Sequence, residues 1–328
     1  MSIKPPFPWF GGKSIVAPIV WGRFGNVANY VEPFFGSGAV LFGRPSEPGI
    51  ETVNDFDGFV SNFWRAVQHD PEQVAQYADW PVNENDLCAR HIWLVNQAES
   101  FVPKLEGDPD YYDAKIAGWW VWGLCCWIGG GWCSGQGPWH VEDGKLVNKK
   151  ANAGQGVNRK LPHLGNAGRG VNRKQDGLIE YFTEISERLR NVRVCCGDWS
   201  RVCGNGVILG KGVTGVFLDP PYSKKANRDN NLYRVENDRV AHDAFAWAIA
   251  HGDDPLMRIA VCGYDGEHAF PASWHCMHWK ANGGYAGQGD QQGRKNAHRE
   301  RIWFSPYCLS ADLFDGHIEP CVEITETA

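Results

Sequence analysis

Short apolar runs that each end in an acidic residue and pass into a helix constrain this chain more than any other feature. Ala28 to Glu32 (ANYVE) is a β-type run that breaks into PFFGSGAVLF, where Gly36 and Gly38 turn the backbone into a helix beginning near Ser37. Ile50 to Asn54 is a second run. It ends at Asp55 and precedes FVSNFWRAV, whose Phe59, Phe63, Trp64 and Val67 share one helical face. Two successive βα units with acidic strand ends predict an α/β fold with a doubly wound, mostly parallel, Rossmann-like sheet.

From about Pro71 to Gly177 the alternation stops, giving way to tryptophan-rich, glycine-rich and basic sequence. It then resumes. Leu178, Ile179, Phe182, Ile185 and Leu189 form a helical stripe, Val192 to Cys196 a strand ending at Asp198, and Thr214 to Leu218 an apolar strand. A helix around Ala241 to Ala250 and strands at Arg258 to Cys262 and Arg301 to Phe304 complete the pattern. The expected organisation is a discontinuous domain (1–70 and 178–310), an inserted domain (71–177) and a carboxyl-terminal tail (311–328).

At 328 residues, with 43% apolar and 21% charged composition, the chain can bury a sizeable core. MSIKPPFPWF lacks a signal-peptide pattern, and no apolar run reaches the roughly 18 to 20 residues that span a bilayer. A cytoplasmic protein, in a bacterium or a phage-infected host cell, is expected. Eleven cysteines include the adjacent pairs Cys125-Cys126 and Cys195-Cys196, and no C-x-x-C occurs. Reduced, buried thiols and no metal site are expected.

The net charge is −6, yet Gly144 to Lys174 carries eight basic residues and no acidic one, so the rest of the chain stands at −14. Within that stretch AGQGVNRK (Ala153 to Lys160) recurs as AGRGVNRK (Ala167 to Lys174). Lys149, Lys150, Arg159, Lys160, Arg169, Arg173 and Lys174 offer contacts to phosphate or guanine, and Asn158 and Asn172 can read adenine. A solvated basic loop is the plainer reading of the same residues. Trp119, Trp120, Trp122, Trp127 and Trp132, among apolar neighbours, are expected to form a buried core rather than a base-stacking platform.

The tetrapeptide Asp219-Pro220-Pro221-Tyr222 follows the apolar strand ending at Leu218, at the sheet edge where open α/β folds hold ligands. Two prolines cannot continue ladder pairing, so the Asp219 carboxylate, the Pro220 carbonyl and the Tyr222 ring form a stiff cluster with two acceptors and a stacking face. That chemistry suits an exocyclic amine on a planar base.

With PFPWFGGK (Pro6 to Lys13), VEPFFGSGAVLF (Val31 to Phe42), VNDFD around Asp55, GDW (Gly197 to Trp199), FLDPPY, VCGYDGEH and RERIWFS in this order, the chain resembles the Dam-type DNA adenine-N6 methyltransferase family. The similarity covers roughly the first 70 residues and residues 178 to 305. It implies a class I methyltransferase fold, S-adenosylmethionine as cofactor and double-stranded DNA as substrate, with the target base flipped out. By the same resemblance Trp9, Lys13, Glu32, Phe34, Gly36 and Gly38 contact the cofactor, Asp55 holds its ribose, and Asp198 and Trp199 flank its adenine. Asp219 stands where cofactor and base meet.

The implied reaction is direct displacement at the sulfonium methyl, without a covalent enzyme intermediate. Asp219 and Pro220 accept from the amine, Pro221 stiffens the corner and Tyr222 stacks on the base. Tyr233 is a candidate wall for that base. Taken singly, Gly36 and Gly38 also read as an ordinary βα turn, and Asp55 and Asp198 as helix N-caps. Cytosine N4, structured RNA and a non-catalytic DNA-binding role stay open as alternatives, a monomer is the favoured state, and DNA protection or restriction-modification is the expected setting.

Overall fold

A computed structural model describes residues 3–9, 12–127, 131–133, 139–143, 145–148, 176–221, 238–279 and 299–310. Seven strands form one sheet: β1 (Asn29–Glu32), β2 (Ile50–Asp55), β5 (Val192–Cys196), β6 (Thr214–Leu218), β7 (Met257–Tyr264), β8 (His275–His278) and β9 (Glu300–Phe304). Their order across the sheet is β5-β2-β1-β6-β7-β9-β8. The first five run parallel, while β9 pairs antiparallel with both β7 and β8. The expected mixed α/β, mostly parallel sheet is present, with an antiparallel edge that the apolar runs did not announce. A separate hairpin, β3 (Trp139–Glu142) with β4 (Lys145–Asn148), lies between the two halves in sequence.

Helices cover both faces, as a parallel sheet requires. On one face α1 (Ala17–Phe24), α3 (Gly58–His69) and α7 (Asp176–Leu189) share an apolar cluster containing Trp21, Tyr30, Phe63, Trp64, Phe182 and Phe217. On the other, the 3-10 turn Trp199–Arg201, α8 (Asn205–Ile208) and α9 (Asp238–His251) pack with Val31, Val216, Leu218 and Val261. β1 and β6 are buried throughout because they lie at the centre with cover above and below. Helix α3 starts where Asp57 accepts a hydrogen bond from the Phe59 N–H at 2.9 Å, so the cap is Asp57 and not Asp55.

The chain leaves the sheet after α3 and forms α4 (Pro71–Ala78), α5 (Glu84–Gly107) and α6 (Ala114–Cys126) before returning through α7. These helices lie inside the span expected as an inserted domain. Their buried residues, Trp120 and Trp122 among them, belong to the same apolar cluster as α1, α3 and α7. The indole N–H of Trp122 donates to the Trp80 carbonyl at 2.8 Å, and that of Trp132 to the Trp120 carbonyl at 3.0 Å. Trp120, Trp122, Trp127 and Trp132 are therefore core, as their neighbours predicted, and Trp119 is half-buried. Trp127 stacks on His91, whose imidazole burial pushes down to about 4.

The return to the sheet is locked by charge. Arg188 on α7 makes two hydrogen bonds to the buried Glu51 of β2, at 2.7 and 2.9 Å, and Arg44 adds a third at 3.1 Å. Removing one member of such a buried set costs about 3–5 kcal/mol, so the register of α7 against β2 is firmly held. All ten cysteines among the described residues are free thiols. Among those residues no helix is long and apolar enough to cross a membrane, and no three His, Cys, Asp or Glu side chains gather as a metal-holding group.

Candidate active site

The strand order reverses direction between β1 and β6: from β1 the chain builds outward through β2 to β5, then returns to the other side of β1. Loops diverge at such a switch point and leave a crevice beyond the carboxyl ends of the strands. Two of the sequence motifs meet there. β1 ends at Glu32 and enters Pro33-Phe34-Phe35-Gly36-Ser37-Gly38, and its neighbour β6 ends at Leu218 and enters Asp219-Pro220-Pro221.

The glycine loop is held by backbone geometry and by its neighbours. Gly36 has φ +48° and Gly38 φ +71°, the left-handed region that glycine occupies at no steric cost. A Cβ on Gly36 would lie 2.3 Å from the Trp9 indole nitrogen, so the amino-terminal segment seats its tryptophan directly on the loop. The Gly36 N–H donates to Asp55 Oδ2 at 2.9 Å, and the Asp57 N–H donates to Asp55 Oδ1 at 2.9 Å. Asp55 is thus oriented at the end of β2 by two backbone groups. Helix α2 (Ala39–Phe42) begins two residues later than the sequence suggested, because Gly38 is still left-handed.

Asp219 sits across the crevice and its carboxylate is paired: Lys13 Nζ lies 2.9 Å from Asp219 Oδ2. Burial opposes the charge on Lys13, which is 7% exposed, but the carboxylate of Asp219, with Cys262 and Glu300, outweighs it and holds the ammonium above its ordinary range. Glu32, at the end of β1, is buried and accepts a hydrogen bond from Tyr30 Oη at 2.8 Å. Burial is the main cause that drives its carboxyl well above the usual range. Tyr30 counters in part, and the nearby charge of Asp219 adds to the rise.

The remaining expected residues divide. Phe34 and Trp199 stack with ring centroids 6.0 Å apart and an interplanar angle of 28°, bringing β1 and β5 loop aromatics together. Asp198 is exposed and takes both the Ser200 N–H and its hydroxyl, so it caps the 3-10 turn as the plain N-cap reading had it. Pro220 is buried and Pro221 half-buried. Tyr222, Tyr233, Lys149, Lys150, Asn158, Arg159, Lys160, Arg169, Asn172, Arg173 and Lys174 lie outside the described residues.

Four contributors went unread in the sequence. Asn54 donates from its side chain to the Pro33 carbonyl at 3.1 Å and the Gly197 carbonyl at 3.0 Å, tying the β1 and β5 ends together across β2. Phe56, next to Asp55, leaves 50% of its surface exposed at the same strand end. Its signal was an aromatic directly after the acidic strand end. Trp279 places its ring 5.1 Å from Lys13 Nζ, and Glu300 on β9 is buried opposite Tyr264 of β7. Trp279 had no local signal, and Glu300 was read only within RERIWFS, with no role of its own.

Residues 9–101 match the family model described as D12 class N6 adenine-specific DNA methyltransferase. The matched span runs from Trp9 through the glycine loop and Asp55 and on into α5, beyond residue 70 where the sequence resemblance was bounded. Among curated proteins, none matches the chain. Trp9, Lys13, the glycine loop and Asp55 all lie inside the matched span, so over residues 9–101 the chain is similar to the D12 class N6 adenine-specific DNA methyltransferases, and Asp219, beyond that span, is paired to Lys13 within it.

Proposed function

We propose that the crevice between β1 and β6 holds S-adenosylmethionine beside an adenine turned out of double-stranded DNA, and that Asp219 and Pro220 hold the amine that is methylated. The single observation carrying this reading is the Lys13–Asp219 pair standing across the switch point from the loop bonded to Asp55. The residues present fit the cofactor. Asp55 offers a carboxylate suited to a ribose diol, and Phe56 presents an aromatic face beside it suited to a purine. Glu32, Phe34, Gly36 and Gly38 form the β1 side of the same crevice, with Trp9 seated on Gly36 and Trp199 stacked on Phe34. Asp198 serves through the turn it caps. When bound, S-adenosylmethionine supplies the electrophilic methyl group.

The protein's own part is electrostatic and geometric. The adenine amine is a poor nucleophile because its lone pair is delocalised into the ring. Acceptors at Asp219 and at the Pro220 carbonyl stabilise the positive charge that develops on N6 during attack. Lys13 pairs with Asp219 and fixes the direction of its carboxylate. Tyr222 stacks on the base, which leaves the duplex to reach the corner.

The DNA contacts are assigned to the basic repeats at 149–174. Support comes from the charge of their neighbours: residues 71–126 carry nine acidic and three basic side chains, so that helical surface repels phosphate. The division into a catalytic part (1–70 and 178–310) and a recognition part (71–177) follows the same split, and one chain supplies every residue named. Incubation of unmethylated duplex DNA with protein and labelled cofactor, followed by nucleoside analysis, is expected to yield N6-methyladenine. Label appearing in N4-methylcytosine, or in no nucleoside, would contradict the assignment.

A further inference from the structure

We propose that Trp279 and Glu300, from the antiparallel edge of the sheet, are positioning residues that hold the Lys13 ammonium on Asp219 and so aim the carboxylate that receives the adenine amine. The inference deepens the function proposed above and rests on it. Both residues reach the crevice through the strand arrangement. Glu300 begins β9 and lies opposite Tyr264, the last residue of β7, while Trp279 follows the end of β8 and donates its backbone N–H to the Glu300 carbonyl at 3.3 Å. β7 and β9 run in opposite directions, which brings the start of β9 to the same sheet edge as the ends of β1 and β6.

Trp279 is 2% exposed, and its indole nitrogen is buried without a hydrogen-bond partner among the described residues. Buried indole N–H groups normally find an acceptor, and a phenylalanine would fill apolar space without that penalty. What a tryptophan adds here over a phenylalanine is the stronger cation–π face of the indole, and Lys13 Nζ lies 5.1 Å from its ring centroid. Lys13 is thereby bracketed by Trp279 on one side and the Asp219 carboxylate on the other. Glu300 supplies a second negative charge that favours the ammonium. The groups facing Lys13 from its surroundings are Asp219 after β6, Cys262 on β7 and Glu300 on β9. Glu32 on β1 couples to Asp219, and Tyr264 on β7 to both Glu300 and Lys13.

Single-turnover methylation by the whole protein, with cofactor and duplex DNA saturating, tests the bracket. Glu300→Gln keeps shape and loses charge. It is expected to slow the step about tenfold while cofactor affinity stays within about threefold. Without the Glu300 charge the burial of Lys13 is less opposed and its pKa falls, so activity in the variant is lost at lower pH on the alkaline side than in the parent. Trp279→Leu is expected to slow the step similarly, and Trp279→Phe, which restores an aromatic face, to bring it back within about threefold of the parent. An unchanged rate and pH profile in Glu300→Gln, or a rate loss matched by an equal loss of cofactor affinity, overturns the proposal. The Glu300→Gln result decides even if Trp279→Leu does not fold. Loss of activity in Asp219→Ala alongside an indifferent Glu300→Gln ends this inference alone, whereas an active Asp219→Ala ends the reading beneath it.

Discussion

Replacing Asp219 with alanine is expected to lower single-turnover methylation by about three orders of magnitude while cofactor affinity changes by no more than about threefold. Removing one preorganised group that stabilises transition-state charge costs about 100- to 1000-fold in other enzymes. Here two losses coincide. The amine loses an acceptor, and Lys13, buried at the crevice, loses the carboxylate 2.9 Å from its nitrogen. Asp219→Asn separates the two, since it keeps an acceptor oxygen of the same shape but not the charge. Its expected deficit is smaller, about a hundredfold. Cofactor titration of each variant provides the control for folding. Turnover by Asp219→Ala within about tenfold of the parent would remove the residue from the chemistry.

The second large effect is on DNA affinity. Changing Arg159, Lys160, Arg173 and Lys174 together to alanine removes half of the eight positive charges between Gly144 and Lys174. If each neutralises one phosphate, the slope of log affinity against log salt becomes shallower by roughly 3 to 4. The loss is expected to be similar on duplexes of different sequence, because phosphate contacts carry no base information. Asn158→Ala with Asn172→Ala is expected to behave differently, leaving the slope in place and flattening sequence preference. A quadruple variant with the parental slope would place the phosphate contacts elsewhere. The acidic helices of residues 71–126 are poor candidates for that place.

What the sequence disclosed follows from where its signals are local. β1, β2, β5 and β6 were legible because each is a short apolar run, and the residue types that end them, Glu32, Asp55, Asp198 and Asp219, are visible as breaks in the pattern. β8 was not: its sequence is His-Cys-Met-His, and at the sheet edge it is only half-buried, so no apolar run marks it. The 24-residue α5 carries Pro103 inside it and has only a few buried positions for its length, which hid its periodicity.

The same division runs through the site. Gly36 and Asp55 were readable as a loop and a strand end, but the bond between them, Gly36 N–H to Asp55 Oδ2, depends on β1 lying beside β2. Lys13 is read by resemblance as a cofactor contact, whereas its nitrogen meets Asp219 from the far side of the fold. Trp279 and Glu300 reach Lys13 only because β9 turns back antiparallel, a fact of topology that no window of sequence contains. Asp198 was legible both as a motif residue and as an N-cap, and its carboxylate accepts from the Ser200 N–H and hydroxyl at the start of the 3-10 turn.

A structure of the whole protein with duplex DNA and a non-reactive analogue of the methyl donor measures the central claim directly, through the distance from the target adenine N6 to the Asp219 carboxylate. The account predicts an extruded adenine with N6 at about 2.7–3.2 Å from an Asp219 oxygen and in hydrogen-bond reach of the Pro220 carbonyl. An adenine still stacked in the duplex, or bound in the crevice with N6 directed away from Asp219, would contradict it.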